Sequence, residues 1–353
     1  LGNYSRFVIS NLIKFHPEHI YKLFIPKLPS INADKIEKTS AEYSIKQTHK
    51  PFWRTVGIVK DIEREGIDIY HGLSNELPLW INKTGIKTVV TIHDLIFLRH
   101  PEYYSRIDRF IYNKKAKYAC KIADKIVAVS ECTKRDIIHY YNIDPSKIEV
   151  VYQGCFPIFK ESADDTLRKQ VKQKYALPDK YLLTVGSIEK RKNLLLIAKA
   201  LKQVPDIHLI AIGKQREYAK EVMHYVAKNG LQDRVKLISD VPLSDLPAIL
   251  QMCEIFIYPS LYEGFGIPII EALNSGVPVI GATGSCLEEA GGPSSIYINP
   301  HDEDELAKQI NRLLADNIER KTMIDNGLKY VERFSDKNCT TALMKVYDKL
   351  LKS

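Results

Sequence analysis

Tyr258-Pro-Ser-Leu-Tyr-Glu-Gly-Phe-Gly-Ile-Pro-Ile-Ile-Glu-Ala-Leu-Asn-Ser-Gly-Val-Pro-Val-Ile280 decides how the rest of this chain is read. The run Ile255-Phe-Ile-Tyr258 that enters it is short, apolar and β-prone, as expected of a strand covered on both faces. Gly264 and Gly266 allow backbone angles that other residues resist and leave room for a ligand beside the main chain. Pro268 suits a first helical turn, where its missing N–H costs nothing. Gly276 suits the helix end, and Pro278 stops it. The string therefore reads as strand end, glycine turn, short helix and next strand. A loop feeding a helix N-terminus at the carboxyl edge of an open parallel sheet is where α/β proteins bind phosphorylated ligands. Glu263 lies in the turn. Glu271 lies in the first helical turn or just past it, where a carboxylate can accept two hydroxyls of a ribose or sugar.

The spacing of the two glutamates carries little alone, because a solvated loop Glu and a helix-capping Glu explain it as simply. The whole string says more. It resembles the Glu-x7-Glu signature of retaining glycosyltransferases of family 4, with the flanking pattern P-S-x-x-E-G-F-G-x-P-x-x-E-A-x-x-x-G-x-P-V-I intact.

A second string, Tyr181-Leu-Leu-Thr-Val-Gly-Ser-Ile-Glu-Lys-Arg-Lys-Asn193-Leu, runs from a strand ending near Gly186 through a polar loop. Asn193 is expected to cap the helix that starts at Leu194. Arg191 and Lys192 stand just before that helix, and cations at the positive end of a helix dipole suit a pyrophosphate. An exposed basic loop is the plainer account. The family resemblance extends here, since Gly186, Lys192 and Asn193 match G-x-x-x-x-x-K-[GN]. The arginine common after that glycine is Ser187 in this chain. Arg191 supplies the charge instead, as in an E-x-R-K-N branch rich in mannosyltransferases.

In Thr88-Val-Val-Thr-Ile-His-Asp-Leu95, His93 and Asp94 fall at a strand's carboxyl end. A histidine there is often a hydrogen-bonded packing residue; the resemblance implies one that contacts the transferred sugar. Asp94 is read as fixing His93 or the loop, and Ser130 as a helix cap. The resemblance implies catalytic roles for Glu263, Arg191, Lys192 and His93. It implies donor contacts from Gly2, Gly186, Ser187, Val241, Tyr262, Gly264, Phe265, Gly266, Ile267 and Glu271. Asp240-Val-Pro-Leu243 resembles the segment that packs on the nucleotide base, and Leu287-Glu-Glu289 resembles a family element near the donor pocket. No metal site and no cofactor is expected, the nucleotide-diphosphate sugar being a co-substrate.

Bulk properties bound these readings. The chain has 353 residues, 45% hydrophobic and 27% charged, enough for two domains with their own cores. No run approaches the roughly 18 apolar residues needed to span a bilayer. No secretory leader is evident, although the abrupt start at Leu1-Gly2 suggests a shortened N-terminus. Six scattered cysteines lack metal-ligand spacing and read as reduced thiols. The net charge of +8 is uneven: residues 1–157 hold 24 Lys+Arg against 17 Asp+Glu, the remainder 27 against 26. Within the basic half, Arg99 to Lys125 mixes eight cations with Tyr103, Tyr104, Phe110, Tyr112 and Tyr118. That mixture suits an anionic membrane surface or a phosphorylated acceptor, while a solvated helix face explains it equally well.

From Asp68 onward short apolar runs alternate with longer amphipathic ones, the pattern of βαβ units and a parallel sheet. Helices are expected in the first half over Phe52–Arg64 and Glu102–Ile122, among others. The pattern restarts after a charged stretch. The fold class is α/β. The resemblance makes it GT-B: two Rossmann-like parallel-sheet domains facing across a cleft, with a C-terminal helix crossing back to the first. The expected boundaries are 1–157 (acceptor-binding, its first strand missing), a junction at 158–178, 179–335 (donor-binding) and the crossing helix 336–353.

The expected function is a retaining, metal-independent transfer of a hexose, mannose from GDP-mannose as first choice. The acceptor is a glycan or lipid-linked acceptor in cell-surface polysaccharide synthesis. A cytoplasmic location at the inner face of the cell membrane follows, with no nucleic-acid partner. The alternatives are a non-catalytic nucleotide- or nucleic-acid-binding module, or a GT-B phosphorylase or epimerase.

Overall fold

The short apolar runs fold as strands. The computed structural model describes residues 2–25, 43–47 and 53–352. In chain order the strands are β1 (Tyr21–Ile25), β2 (Tyr43–Gln47), β3 (Ile69–Gly72), β4 (Lys87–Ile92), β5 (Lys125–Ala128), β6 (Ile148–Val150), β7 (Tyr181–Val185), β8 (His208–Ile212), β9 (Val235–Ile238), β10 (Ile255–Tyr258), β11 (Val279–Ala282) and β12 (Ile296–Ile298). They form three parallel sheets, ordered β1-β2, β3-β4-β5-β6 and β12-β11-β10-β7-β8-β9. The chain divides into two compact units, Leu1–Gly154 with Phe334–Ser353, and Cys155–Arg333.

In the first unit the strand period of two sends alternate side chains to two cores. Val90 and Ile92 of β4 pack with Trp53, Ile58, Ile62, Ala116 and Ala119. Val89, one residue off, packs with Tyr4, Val8, Leu12, Leu343, Met344 and Leu350. That second core lies under helices Gly2–Phe15 and Asp336–Leu351, so the end of the chain completes the unit that its beginning starts. A polar chain ties these helices to the sheet. Tyr347 Oη lies 2.6 Å from His71 Nδ1, His71 Nε2 lies 2.8 Å from Thr91 Oγ1, and Thr91 Oγ1 lies 3.0 Å from Tyr4 Oη. Burial pushes the His71 pKa down to about 3, so the imidazole there is neutral.

In the second unit β7–β9 run outward from the centre in one direction and β10–β12 in the other. Leu182, Leu209, Ala211, Ile255, Ile257 and Ile280 meet helices Leu194–Ala200, Tyr218–Lys228 and Glu303–Ala315 in one core.

Several elements differ from the sequence reading for local reasons. The helix expected from Glu102 starts at Arg106, because Pro101–Tyr103 forms a 3-10 turn and Ser105 Oγ accepts the Asp108 N–H as a cap. Residues Asp165–Lys174, within the stretch read as a junction, form a helix capped by Asp164, which accepts from Leu167 N–H at 2.7 Å. The helix expected over Phe52–Arg64 runs Ile58–Arg64 behind a π-turn at Trp53–Gly57; Phe52 lies outside the described residues.

Tyr347→Phe removes the partner of His71 Nδ1. It should cost about 1–2 kcal/mol in urea unfolding; stability within about 0.3 kcal/mol of the parent, the size of the measurement error, would show that the polar chain contributes nothing.

Candidate functional site

Strand order in the second unit reverses between β7 and β10. At such a switch point two neighbouring loops leave the carboxyl edge in opposite directions and open a crevice. Here the loops are 186–193 after β7 and 259–266 after β10. Gly186 opens the first at φ +152°, and a Cβ there would lie 3.6 Å from the Lys192 side chain. The loop ends in a 3-10 turn, Lys190–Lys192, and in Asn193 at φ 59°. Asn193 occupies the helix N-cap position without capping it. Its left-handed backbone turns the amide away from the helix, and Nδ2 donates instead to the carbonyls of Pro259 at 3.2 Å and Pro300 at 2.7 Å. The Leu261 N–H donates to the Arg191 carbonyl at 2.9 Å, and Arg191 Nη1 donates to the Tyr262 carbonyl at 2.8 Å. The two loops are thus joined by backbone as well as side chains.

Glu263 sits between both cations. Its Oε2 lies 2.8 Å from Arg191 Nη1 and its Oε1 2.6 Å from Lys192 Nζ. Lys192 also donates to Tyr258 Oη at 2.5 Å and lies over that ring, and Arg191 Nη2 pairs with Glu189 at 2.9 Å. Glu263 is buried, with 8% of its surface exposed. Burial alone would raise its pKa, yet Lys192 and Arg191 hold it below the ordinary carboxylate range. Burial would likewise lower both cations, but Glu263 and Tyr258 outweigh it at Lys192, and Glu263 and Glu189 outweigh it at Arg191. All three groups are therefore ionised together.

Glu271 stands apart from this cluster. It is the fifth residue of helix Ile267–Asn274, beyond the first turn, and half-buried. No cation pairs with its carboxylate among the described residues, and burial pushes its pKa up to about 8. Gly264 and Gly266 do not use the left-handed angles open to glycine. Gly266, at φ −140°, is required by space instead, since a Cβ would lie 2.6 Å from that of Ala290. Tyr262 and Gly264 are buried, and Ser187, Phe265 and Ile267 half-buried, along the same two loops. Val241 follows β9 at the sheet edge, two strands from β7, after Asp240 at φ 57°. In the helix Leu287–Gly291 that contains the Leu287–Glu289 element, Glu288 is exposed.

The first unit holds the remaining candidates. Gly2 is exposed at the start of helix Gly2–Phe15. His93 directly follows β4 and is fixed from four sides. Its N–H donates to Asn75 Oδ1 at 2.8 Å, its carbonyl accepts from Thr133 Oγ1 at 3.3 Å, its ring meets the Tyr4 ring edge-on at 4.7 Å, and Nε2 lies 2.9 Å from the Leu73 carbonyl. A carbonyl can only accept, so Nε2 carries the proton and Nδ1 the lone pair. Burial, partly offset by the Leu73 hydrogen bond, puts the pKa near 4. His93 is thus a neutral acceptor at Nδ1, suited to a hydroxyl and unsuited to a phosphate oxygen. Asp94 fixes its own loop, accepting the Ile96 N–H at 3.1 Å, and Ser130 caps helix Glu131–Tyr141 through Thr133 N–H.

Sequence reasoning missed Tyr258, Glu189 and Asn75. Tyr258 had a signal: a phenol ending a strand covered on both faces needs a partner for its hydroxyl. The chain's one Asp-x-Asp, Asp302–Asp304, has structural partners: Asp302 caps its helix by accepting the Glu305 N–H, and Asp304 accepts from the Gln203 side-chain amide.

Residues 166–330 match the family model "Glycosyl transferases group 1", and residues 27–155 that of "Glycosyltransferase Family 4". The O-antigen chain mannosyltransferase B of Escherichia coli is 31% identical over 287 residues, covering 79% of this chain and 74% of that one. The serotype-specific mannosyltransferase WbdA of the same species is 28% identical over 302 residues, 80% of this chain but 36% of WbdA, so this chain spans about a third of its length. The crystal structure of Anabaena HepE in complex with UDP superposes with a TM-score of 0.76 at 17% identity, over 98% of this chain and 96% of that one. That likeness shows the fold, GT-B with two Rossmann-like parallel-sheet units.

Glu271 binds a proton more tightly folded than unfolded, so stability falls as pH rises from about 4.5 to about 8. Glu271→Gln should match the parent near pH 5 and melt higher by roughly 2–6 °C at pH 8.5; a difference that does not grow with pH would show that the carboxyl is not held neutral.

Proposed function

The chain belongs to the glycosyltransferases of family 4 and is a hexosyltransferase, and from that premise we propose that it moves mannose from GDP-mannose to a lipid-linked glycan of a cell-surface polysaccharide, with retention and without a metal. The observation that carries this reading is the pair of half-buried, ionised cations beside Glu263 where the strand order reverses. Breaking the bond between the anomeric carbon and the diphosphate oxygen leaves an oxocarbenium-like sugar and a negative diphosphate. Prearranged cations in a sheltered site stabilise that departing charge without reorganising at the moment of reaction. Arg191 and Lys192 take this role, helped by the N-terminal end of helix Ile267–Asn274. The acceptor oxygen bonds to the anomeric carbon on the face the phosphate leaves, and the acceptor's proton passes to a phosphate oxygen. The products are the glycoside and the nucleoside diphosphate.

Glu263 and the backbone of Gly264, Phe265 and Gly266 hold sugar hydroxyls, Glu271 holds the ribose, and Val241 packs on the base. Nδ1 of His93 accepts a hydroxyl of the transferred sugar. Donor recognition is assigned to the second unit and acceptor recognition to the first. The choice of mannose rests on the two Escherichia coli relatives, whose names specify mannosyl transfer, and on the Glu189-x-Arg191-Lys192-Asn193 run. Incubation with GDP-mannose, other nucleotide sugars and lipid-linked glycans, with product followed by mass and by anomeric NMR coupling, tests donor and stereochemistry. Arg191→Ala or Lys192→Ala should each lower kcat/KM roughly 10- to 150-fold; activity within twofold of the parent in both (about 0.4 kcal/mol) would remove them from the mechanism. EDTA should leave the rate unchanged.

The membrane contact has its own support. Helix Arg106–Ile122 packs inward through Ala116, Ala119 and Cys120. Its opposite face carries Ile107, Phe110 and Ile111, 73%, 63% and 43% exposed, then Lys114 and Lys121. Trp80 adjoins this helix, half-exposed at φ 66°, its N–H held by Tyr118 Oη at 2.8 Å. Apolar residues beside lysines on an outward face suit an interface with anionic lipid. No helix among the described residues is long and apolar enough to cross a membrane. The chain should co-sediment with phosphatidylglycerol vesicles, less so at high salt and not with phosphatidylcholine. The double change Ile107→Ser with Phe110→Ser should abolish sedimentation without lowering Tm; unchanged sedimentation would assign the face to another partner.

A further inference from the structure

Glu263 holds both cations that the mechanism needs for phosphate, using one carboxylate oxygen for each. Arg191 has a second carboxylate in Glu189, so two positive and two negative charges gather within one sheltered cluster. A site built only to attract a diphosphate would leave net positive charge there. This one is neutral overall, and its ion pairs are sheltered enough that water screens them little. Resting on the donor-site reading above, we propose that Glu263 is a built-in competitor of the product diphosphate, occupying its place on Arg191 and Lys192 and so setting how fast product leaves.

The chemistry of donor and product makes this competition selective. The intact donor brings sugar hydroxyls, which donate to Glu263 while the phosphates take the cations. The carboxylate then gives up two ion pairs and gains hydrogen bonds in exchange. After transfer the sugar is gone, and the diphosphate faces a carboxylate that has lost its sugar hydroxyls. Glu263 then reclaims Lys192 and Arg191, with Tyr258 Oη 3.3 Å from Oε1 to keep it in place. Removing its charge therefore strengthens the diphosphate complex, although the residue itself belongs to the donor site.

The test is titration calorimetry of the full chain with GDP and with UDP. Glu263→Gln should bind the preferred diphosphate at least roughly tenfold tighter than the parent, which corresponds to about 1.4 kcal/mol. Glu263→Gln leaves two sheltered cations short of an anion and can unfold. Glu263→Asp keeps the charge, draws it back by one methylene and should bind roughly threefold or more tighter, which decides the matter if the Gln variant does not fold. Binding seen only in the variants supports the proposal in its strongest form. A parent that binds, with variants that bind equally or more weakly, overturns the competitor role and leaves the donor site standing. If no version binds either diphosphate, the donor-site reading falls and the competitor role falls with it.

Discussion

The contact of Glu263 with Arg191 and Lys192 is the constraint around which the second unit is arranged. Three charges are withdrawn from water, which is tolerable only because each satisfies another. Holding them together fixes two loops that leave neighbouring strands in opposite directions. Asn193, forced into a left-handed backbone, helps by spending its side chain across the gap on Pro259 and Pro300. Cys286, in the loop after β11, adds a third tie through its thiol to the Glu263 carbonyl at 3.1 Å. Rigidity at this point holds the two cations in place, and under the proposed mechanism that place is where a leaving group's charge develops.

The first unit solves a different problem with neutral groups. His93 is held by an asparagine, a threonine, a tyrosine ring and a carbonyl, and none of these carries charge. Its proton is therefore fixed on one nitrogen by geometry alone, and burial keeps a second proton away. The chain Tyr347–His71–Thr91–Tyr4 beneath it follows the same rule. Charge is concentrated where phosphate chemistry is assigned, and uncharged hydrogen bonding where a sugar hydroxyl is.

Much of the fold was legible because buried parallel strands write themselves as short apolar runs. Ile255–Tyr258 and Tyr181–Val185 fall where those runs predict. Helix ends were legible where capping chemistry is local, as at Ser130, and missed where a turn intervened, as before Arg106. The site was legible in its residues but not in its pairing. Nothing in the spacing of Arg191, Lys192 and Glu263 says that the acid holds the bases, because loops about 70 positions apart meet only through the order of strands. Left-handed backbone at Asn193 and ordinary backbone at Gly264 and Gly266 were likewise out of reach, since both follow from tertiary neighbours.

Helix Asp336–Leu351 belongs to the unit begun by helix Gly2–Phe15. Synthesis on the ribosome runs the other way. The whole of Cys155–Arg333, with its six-stranded sheet, is made before the helix that covers Val89 and Val127 exists. The later-made unit can therefore close first, while the earlier one waits with an apolar sheet face uncovered until that helix is made. A stop codon just ahead of Asp336 would therefore injure the unit encoded before Gly154.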